Sequence, residues 1–144
     1  MFTFFSPSFW TGLVASLKPP VKFPFDPDSP NILLPVTLVH HGATTQVHLA
    51  LDTGASITVL DDDLAAALGL NSQRKTITVA TASGTIRAYQ TAVDELTVLD
   101  RTQENAPILI ADLTDTGIDG LLGLSFLKHY KLTLDSQNHH LTLK

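Results

Sequence analysis

The chain has 144 residues, a formal net charge of −5 at pH 7 and no cysteine. Its length suits one domain, and 44% hydrophobic against 16% charged residues provide for a buried core, which excludes a disordered segment. The nine Lys and Arg residues form no basic stripe, which argues against a nucleic-acid partner. Without cysteine, disulfides, thiolate catalysis and Cys-ligated zinc are excluded. No apolar run reaches the ~18 residues of a membrane span.

The first part of the chain differs in composition from the rest. Seven of the eight prolines lie in the first 35 residues, and half of the aromatic residues lie in the first ten. Repeated proline forbids a sustained helix or a central strand. Residues 1–30 are therefore predicted to be an arm or linker, followed by a single domain over residues 31–144.

The aromatic tip of this arm has three interpretations. A signal peptide is disfavoured, because no Lys or Arg precedes the apolar stretch and Pro7 interrupts it. Exposed aromatic clusters usually mark contact sites, so residues 1–17 are a candidate for hydrophobic contact with a partner or a membrane surface. The third interpretation is that the tip folds back over the domain. The sequence does not fix the location in the cell, and a cytoplasmic one is favoured.

Beyond the arm, short runs of Thr, Val and Ile alternate with turn residues, which predicts an all-β fold with two short helices. The predicted strands cover residues 32–40, 45–51, 57–60, 76–81, 85–98, 108–111, 131–135 and 139–143. Asp61 is predicted to cap a helix over residues 62–68, which Gly69 ends. Ser125 is predicted to cap a second helix over residues 126–130.

The most informative stretch is LALDTGASITVL, residues 49–60, in which an apolar strand ends in a carboxylate and then resumes. An Asp at the end of a buried strand is costly unless its charge is managed. Gly54 lets the backbone approach, and Thr53 and Ser56 place hydroxyls within reach of the Asp52 carboxylate. A surface turn would also favour Asp, but the apolar residues on both sides fit a buried site better.

This stretch resembles the active-site signature of retropepsin-like aspartic proteases. Residues 118–127, here called the second segment, resemble that family's second conserved segment, in which Leu121, Leu122 and Gly123 would pack beside the catalytic loop. The spacing between the two leaves room for the family's flap hairpin. The substrate-binding residues at the flap tip would be Thr81, Ala82, Ser83, Gly84 and Thr85. The resemblance covers about residues 31–144 and implies a closed β-barrel of the acid-protease type.

The resemblance further implies an aspartic endopeptidase acting on polypeptides, with no cofactor and no metal. In such enzymes two Asp carboxylates share one proton and activate a water that attacks the peptide carbonyl. Asp52 would be the catalytic carboxylate of this chain. The residues of its active-site loop would be Thr53, Gly54, Ala55 and Ser56. The second Asp would come from another copy in a symmetric homodimer, with Thr53 interlocking with its counterpart across the two-fold axis.

Other acidic and histidine residues have simpler interpretations. A second Asp-Thr-Gly occurs at residues 115–117, only 63 residues after Asp52, which is too few for a second lobe. It lacks the apolar flanks of the first and is predicted to be a surface turn. Three histidines lie near one predicted hairpin and are interpreted as ordinary loop residues: His40, His41 and His48. The acidic run at residues 61–63 is explained by helix capping.

The chain departs from the viral members of this family at paired positions. Where viral enzymes carry Asp and Arg, which pair with each other, it carries Ser56 and Leu124. Losing both leaves no orphan charge, so the chain looks more like cellular or bacterial members. Its flap tip has one glycine, Gly84, where viral flaps have more. Two alternatives to an active protease stay open: a non-catalytic module that binds peptides or dimerises, and a latent protease that needs removal of the N-terminal arm.

Overall fold

Strands dominate the computed structural model of the chain, which describes residues 19–70 and 75–144. In chain order the elements are β1 (Lys22–Pro24), β2 (Leu33–His40), β3 (Ala43–Leu51), β4 (Thr58–Asp61), α1 (Asp62–Ala67), β5 (Lys75–Thr81), β6 (Gly84–Val98), β7 (Arg101–Ala111), β8 (Gly120–Leu122), α2 (Leu124–Leu127), β9 (Leu132–Asp135) and β10 (His140–Leu143). The predicted all-β class with two short helices is confirmed. Within these described ranges no helix is long and apolar enough to cross a membrane. The predicted contact segment, residues 1–17, lies outside the described residues.

Six strands close into a barrel in the order β2-β3-β8-β4-β7-β6, with β6 pairing back onto β2. The closing pairs run from Val36 opposite Val98 to Val39 opposite Glu95. Closure leaves these strands no free edge. The barrel core consists of aliphatic side chains without solvent exposure, among them Leu34, Val36, Leu49, Leu60, Ile108, Ile110 and Leu122. The predicted closed barrel is therefore confirmed.

The first strand and the last two strands form a separate three-stranded sheet of order β1-β10-β9. In it Phe23 lies opposite Leu141, and the Phe25 N–H donates to the His139 carbonyl oxygen at 2.9 Å. Both phenylalanines pack against the core. The predicted arm thus contains a three-residue edge strand, which its prolines permit. The domain boundary at residue 30 stays a prediction.

Strand β8 lies between β3 and β4. It runs parallel to β3, with Leu51 opposite Leu122, and antiparallel to β4, with Leu60 opposite Gly120. A Cβ on Gly120 would lie 2.1 Å from the Val59 carbonyl oxygen, so the close approach of β8 to β4 requires glycine. This insertion places the carboxyl end of β3 beside the residues that follow β8.

Strands β5 and β6 form a long hairpin that extends beyond the barrel. Residues 84–90 of β6 pair with β5, and the pairing of β6 with β7 begins only at Tyr89, so residues 84–88 pair with β5 alone. At the exposed tip, the Thr81 Oγ1 donates to the Gly84 carbonyl oxygen at 2.8 Å, and Gly84 has a φ of +129°. The predicted hairpin is present with each strand starting one residue earlier than expected.

Several sequence-based boundaries and caps were wrong. Strand β7 begins at Arg101, not at residue 108, because its polar first half pairs with β6. Asp61 occupies the N-cap position of α1 but makes no capping hydrogen bond, since its Oδ1 accepts the Leu113 N–H at 2.9 Å. Helix α2 begins at Leu124, so Ser125 lies inside it and Gly123 is its N-cap.

Candidate active site

Asp52 lies where β3 ends, at the start of a loop over residues 52–57 that connects β3 with β4, here called the Asp52 loop. The residue as a whole is half-buried, and its carboxylate Oδ1 accepts the Gly54 N–H at 2.8 Å. A Cβ on Gly54 would lie 3.1 Å from that oxygen, which explains the glycine. The expected hydroxyl bonds from Thr53 and Ser56 are not among the hydrogen bonds of the described residues. A backbone amide orients this carboxylate instead.

The second segment lies directly against the Asp52 loop. The Asp52 N–H donates to the Leu122 carbonyl oxygen at 3.0 Å, and the Leu124 N–H donates to the Ala55 carbonyl oxygen at 2.8 Å. A Cβ on Gly123 would lie 2.8 Å from the carbonyl oxygens of both Ala55 and Ile57. The loop and the second segment are therefore in backbone contact, with no room for a side chain between them.

Two buried hydroxyl groups tie the same segments together. The Ser125 Oγ accepts the Thr58 N–H at 3.1 Å, and the Thr58 Oγ1 accepts the Gly123 N–H at 3.2 Å. Thr58 is 1% exposed and Ser125 is 8% exposed, so both bonds are shielded from water. Sequence reasoning assigned neither residue to the site. The available signal was a hydroxyl residue inside each of two apolar runs, where it needs a partner.

One face of the barrel wall beside Asp52 is apolar. Directly paired residues on neighbouring strands share a face. Leu121 lies opposite both Ala50 and Val59, and Val59 lies opposite Leu109, so these four residues form one row across β3, β8, β4 and β7. Ala50 is two residues before Asp52 on the same strand. The row thus starts beside the carboxylate and runs across the sheet.

The β5–β6 hairpin continues this apolar face outward. On β6, Gln90 lies opposite Leu109 and therefore shares its face, as does Ala88 two residues earlier. The cross-strand pairs of Ala88 with Ile77 and of Ile86 with Val79 extend that face along the hairpin. Asp52, the apolar row and the inner face of the hairpin together border one surface.

The second Asp-Thr-Gly lies elsewhere. Residues 114–117 form an exposed turn ahead of β8, as predicted, and Asp115 has a φ of +70°. This turn precedes the amino end of β8. Because β8 runs parallel to β3, Asp52 at the end of β3 lies beside the carboxyl end of β8. Hydrogen bonds from the side chain and the backbone amide of Thr114 lower the pKa of Asp112 in the same turn.

The histidines near the β2–β3 turn stay apart from the Asp52 loop. The rings of His40 and His41 lie 4.0 Å apart, and the His41 N–H donates to the Asp94 carboxylate at 2.8 Å. Within residues 19–70 and 75–144, no group of three or more His, Cys, Asp or Glu residues is placed to hold a metal ion.

Comparison with known proteins assigns the chain to a family. The family model described as aspartyl protease matches residues 34–126, which is more than half of the chain and includes Asp52 and most of the second segment. The chain therefore belongs to the aspartyl protease family. A solved retropepsin-like aspartic protease from Rickettsia conorii is 22% identical with a TM-score of 0.66, covering 88% of this chain and 99% of that one. The fold is thus retropepsin-like. No match was found among curated proteins.

Proposed function

We propose that the chain is an aspartic endopeptidase whose active site forms between two copies, each contributing Asp52. The observation that carries the proposal is the Asp52-Thr53-Gly54 turn, which is fixed against the second segment and ends a buried strand in a member of the aspartyl protease family. One chain contributes one such turn, because the turn at residues 115–117 lies at the other end of β8. A second copy supplies the missing carboxylate.

The proposed reaction is hydrolysis by paired carboxylates. In a symmetric dimer the two Asp52 side chains meet at the two-fold axis and share one proton, because two like charges in contact cannot both persist. The ionised carboxylate takes a proton from a water molecule, whose oxygen attacks the peptide carbonyl carbon. The protonated carboxylate donates to the carbonyl oxygen. Proton transfer to the amide nitrogen then releases the new amino terminus as the C–N bond breaks.

The proposed substrate is an extended polypeptide held between the apolar row and the β5–β6 hairpin. In this proposal the hairpin acts as the flap. The tip predicted from the sequence, residues 81–85, is exposed in the structure. An extended peptide binds such strands through backbone hydrogen bonds, and its alternate side chains point to one face. The half-buried Val59 and Leu121 and the exposed Ile86 favour apolar side chains near the scissile bond.

The test compares wild type with Asp52→Asn and with the matched control Asp115→Asn, using an unfolded protein as substrate between about pH 4 and 7. Wild type and Asp115→Asn should cleave at equal rates, and Asp52→Asn should be inactive. The rate should rise more steeply than linearly with enzyme concentration wherever the dimer dissociates. Cleavage by Asp52→Asn at the wild-type rate would refute the assignment.

Absence of cleavage by all three variants would favour the two alternatives. Binding of an unfolded polypeptide by wild type, measured by fluorescence anisotropy, would then identify a non-catalytic peptide-binding module. Cleavage that appears only after deletion of residues 1–18 would identify a latent protease instead.

A further inference from the structure

Helix α2 contacts the Asp52 loop but is too short to be stable on its own. It spans only Leu124–Leu127, and isolated helices below about 12 residues are marginal in water. Its residue Ser125 nevertheless makes two contacts with the loop region, an N–H bond to the Ser56 carbonyl oxygen at 2.9 Å and an Oγ bond from the Thr58 N–H at 3.1 Å. The position of α2 must therefore be fixed from outside.

Gln103 on β7 provides a polar contact of this kind. Its Nε2 donates to the Ser125 carbonyl oxygen at 3.0 Å in a partly buried setting. The neighbouring carbonyls are used by the chain that follows, since the Lys128 N–H donates to Leu124 and the His129 N–H to Phe126. The Ser125 carbonyl lies between these two, and its hydrogen-bond donor is the Gln103 amide. Leaving a buried carbonyl without a donor is costly, so the contact favours one placement of α2.

We propose that Gln103 is a positioning residue for the Asp52 loop, acting through Ser125. The Gln103 amide fixes the Ser125 backbone, and Ser125 in turn bonds to Ser56 and Thr58, where the Asp52 loop joins β4. This inference rests on the proposed function, in which Asp52 is the catalytic carboxylate. It adds a residue that lies on a different strand from both motifs and touches neither the substrate nor Asp52.

The first test measures amide hydrogen exchange in wild type and Gln103→Leu. The amides of Thr58, Leu124 and Ser125 form the hydrogen bonds between the Asp52 loop region and α2 and are here called the loop amides. Loss of the donor should lower their protection by about tenfold, the effect of one lost hydrogen bond. The amides of β9 and β10 serve as the internal reference and should keep their protection. Unchanged protection at the three loop amides, or an equal fall in the terminal sheet, would overturn the proposal.

The second test uses Gln103→Glu, which keeps the shape of the side chain. A protonated carboxyl can donate to the Ser125 carbonyl, whereas a carboxylate cannot. Protection at the loop amides should therefore approach wild type as the pH falls from about 7 to about 4. Every variant retains the ionisable groups nearest along these two elements, Arg101 and Glu104 on β7 and Lys128 and His129 after α2. The exposed Gln46→Glu on β3 is the matched control and should show no such dependence.

Activity gives the final readout. Both Gln103 variants should lower kcat about tenfold at neutral pH with little change in KM, because the substrate surface is untouched. Gln103→Glu should recover relative to wild type toward pH 4, and Gln103→Leu should not. If wild type does not cleave at all, the proposed function fails, while the exchange measurements still decide whether Gln103 positions the loop. If Gln103→Leu fails to fold, the pH series of Gln103→Glu decides the proposal alone.

Discussion

Gly123 offers a direct test of how tightly the second segment fixes the Asp52 loop. Its φ of −102° suits any residue, so an alanine there meets no backbone strain. The added Cβ would nevertheless lie 2.8 Å from the Ala55 and Ile57 carbonyl oxygens, and ordinary contact begins at 3.4 Å. Gly123→Ala therefore pushes the Asp52 loop away from the second segment by about 0.6 Å, the difference between these distances.

The cost follows from two contributions. Overpacking in a closely packed site costs about 1–3 kcal/mol. The Ala55 carbonyl also accepts the Leu124 N–H at 2.8 Å, and moving it away stretches that bond past the usual range, with a loss of about 1 kcal/mol. The expected destabilisation is about 3 kcal/mol in total. Because the displaced atoms belong to the loop that begins with Asp52, kcat should fall at least about tenfold.

Urea unfolding followed by far-UV circular dichroism measures the free energy, and Gly117→Ala is the matched control. Gly117 has a φ of +75° in an exposed turn with no atom within 4 Å of an added Cβ. That variant should lose only about 1 kcal/mol, from left-handed backbone strain, and should keep full activity. If Gly123→Ala is no less stable than Gly117→Ala, or keeps wild-type kcat, then the contact does not fix the loop.

Two further predictions concern individual hydrogen bonds, one to Gly123 and one at Asp135. Thr58→Val leaves the Gly123 N–H without its buried acceptor and should cost about 2 kcal/mol in urea unfolding, whereas Thr58→Ser should restore most of it; equal stability of the two variants would contradict this. Hydrogen bonds, first from the Asn138 side chain, lower the pKa of Asp135 from its usual range. A lowered native pKa contributes stability that is present above the unfolded pKa. This contribution is lost as the pH falls through the native pKa. The stability gap between wild type and Asp135→Asn should therefore be constant above about pH 5 and narrow as acid protonates the native carboxylate, and a gap that stays constant into acid would contradict it.

The sequence predicted the parts of the fold that local pattern determines. Short runs of strand-forming residues separated by turn residues located the β2–β3 hairpin, the β5–β6 hairpin and the closing β9–β10 hairpin to within two residues at each end. The LALDTGASITVL stretch located the Asp52 turn, since an apolar strand, a carboxylate and a glycine occur together there. These features depend on residues that are close together in the sequence, so the sequence alone indicates them.

Features that depend on distant pairing were missed. The first part of β7, residues 101–107, is polar and contains a proline, yet it forms a strand because β6 pairs with every residue of it except Asn105. Asp61 was assigned to helix capping, but a loop 52 residues later offers the Leu113 N–H to its carboxylate. The contact of Gln103 with Ser125 has no sequence signal at all. One polar residue in a polar strand does not indicate which of many carbonyls it will meet.

The way the Asp52 loop is held bears on the pH range in which the proposed dyad works. Viral members of the family pair an Asp with an Arg at the positions of Ser56 and Leu124, and both of these residues are exposed here. An Asp–Arg pair weakens when acid protonates its carboxylate. In this chain the contacts that fix the loop against the second segment come instead from backbone groups, the hydroxyls of Thr58 and Ser125 and the amide of Gln103, none of which titrates in that range. The geometry of the loop should therefore be the same at pH 4 and pH 7, so that the pH dependence of cleavage reports the dyad and the dimer alone.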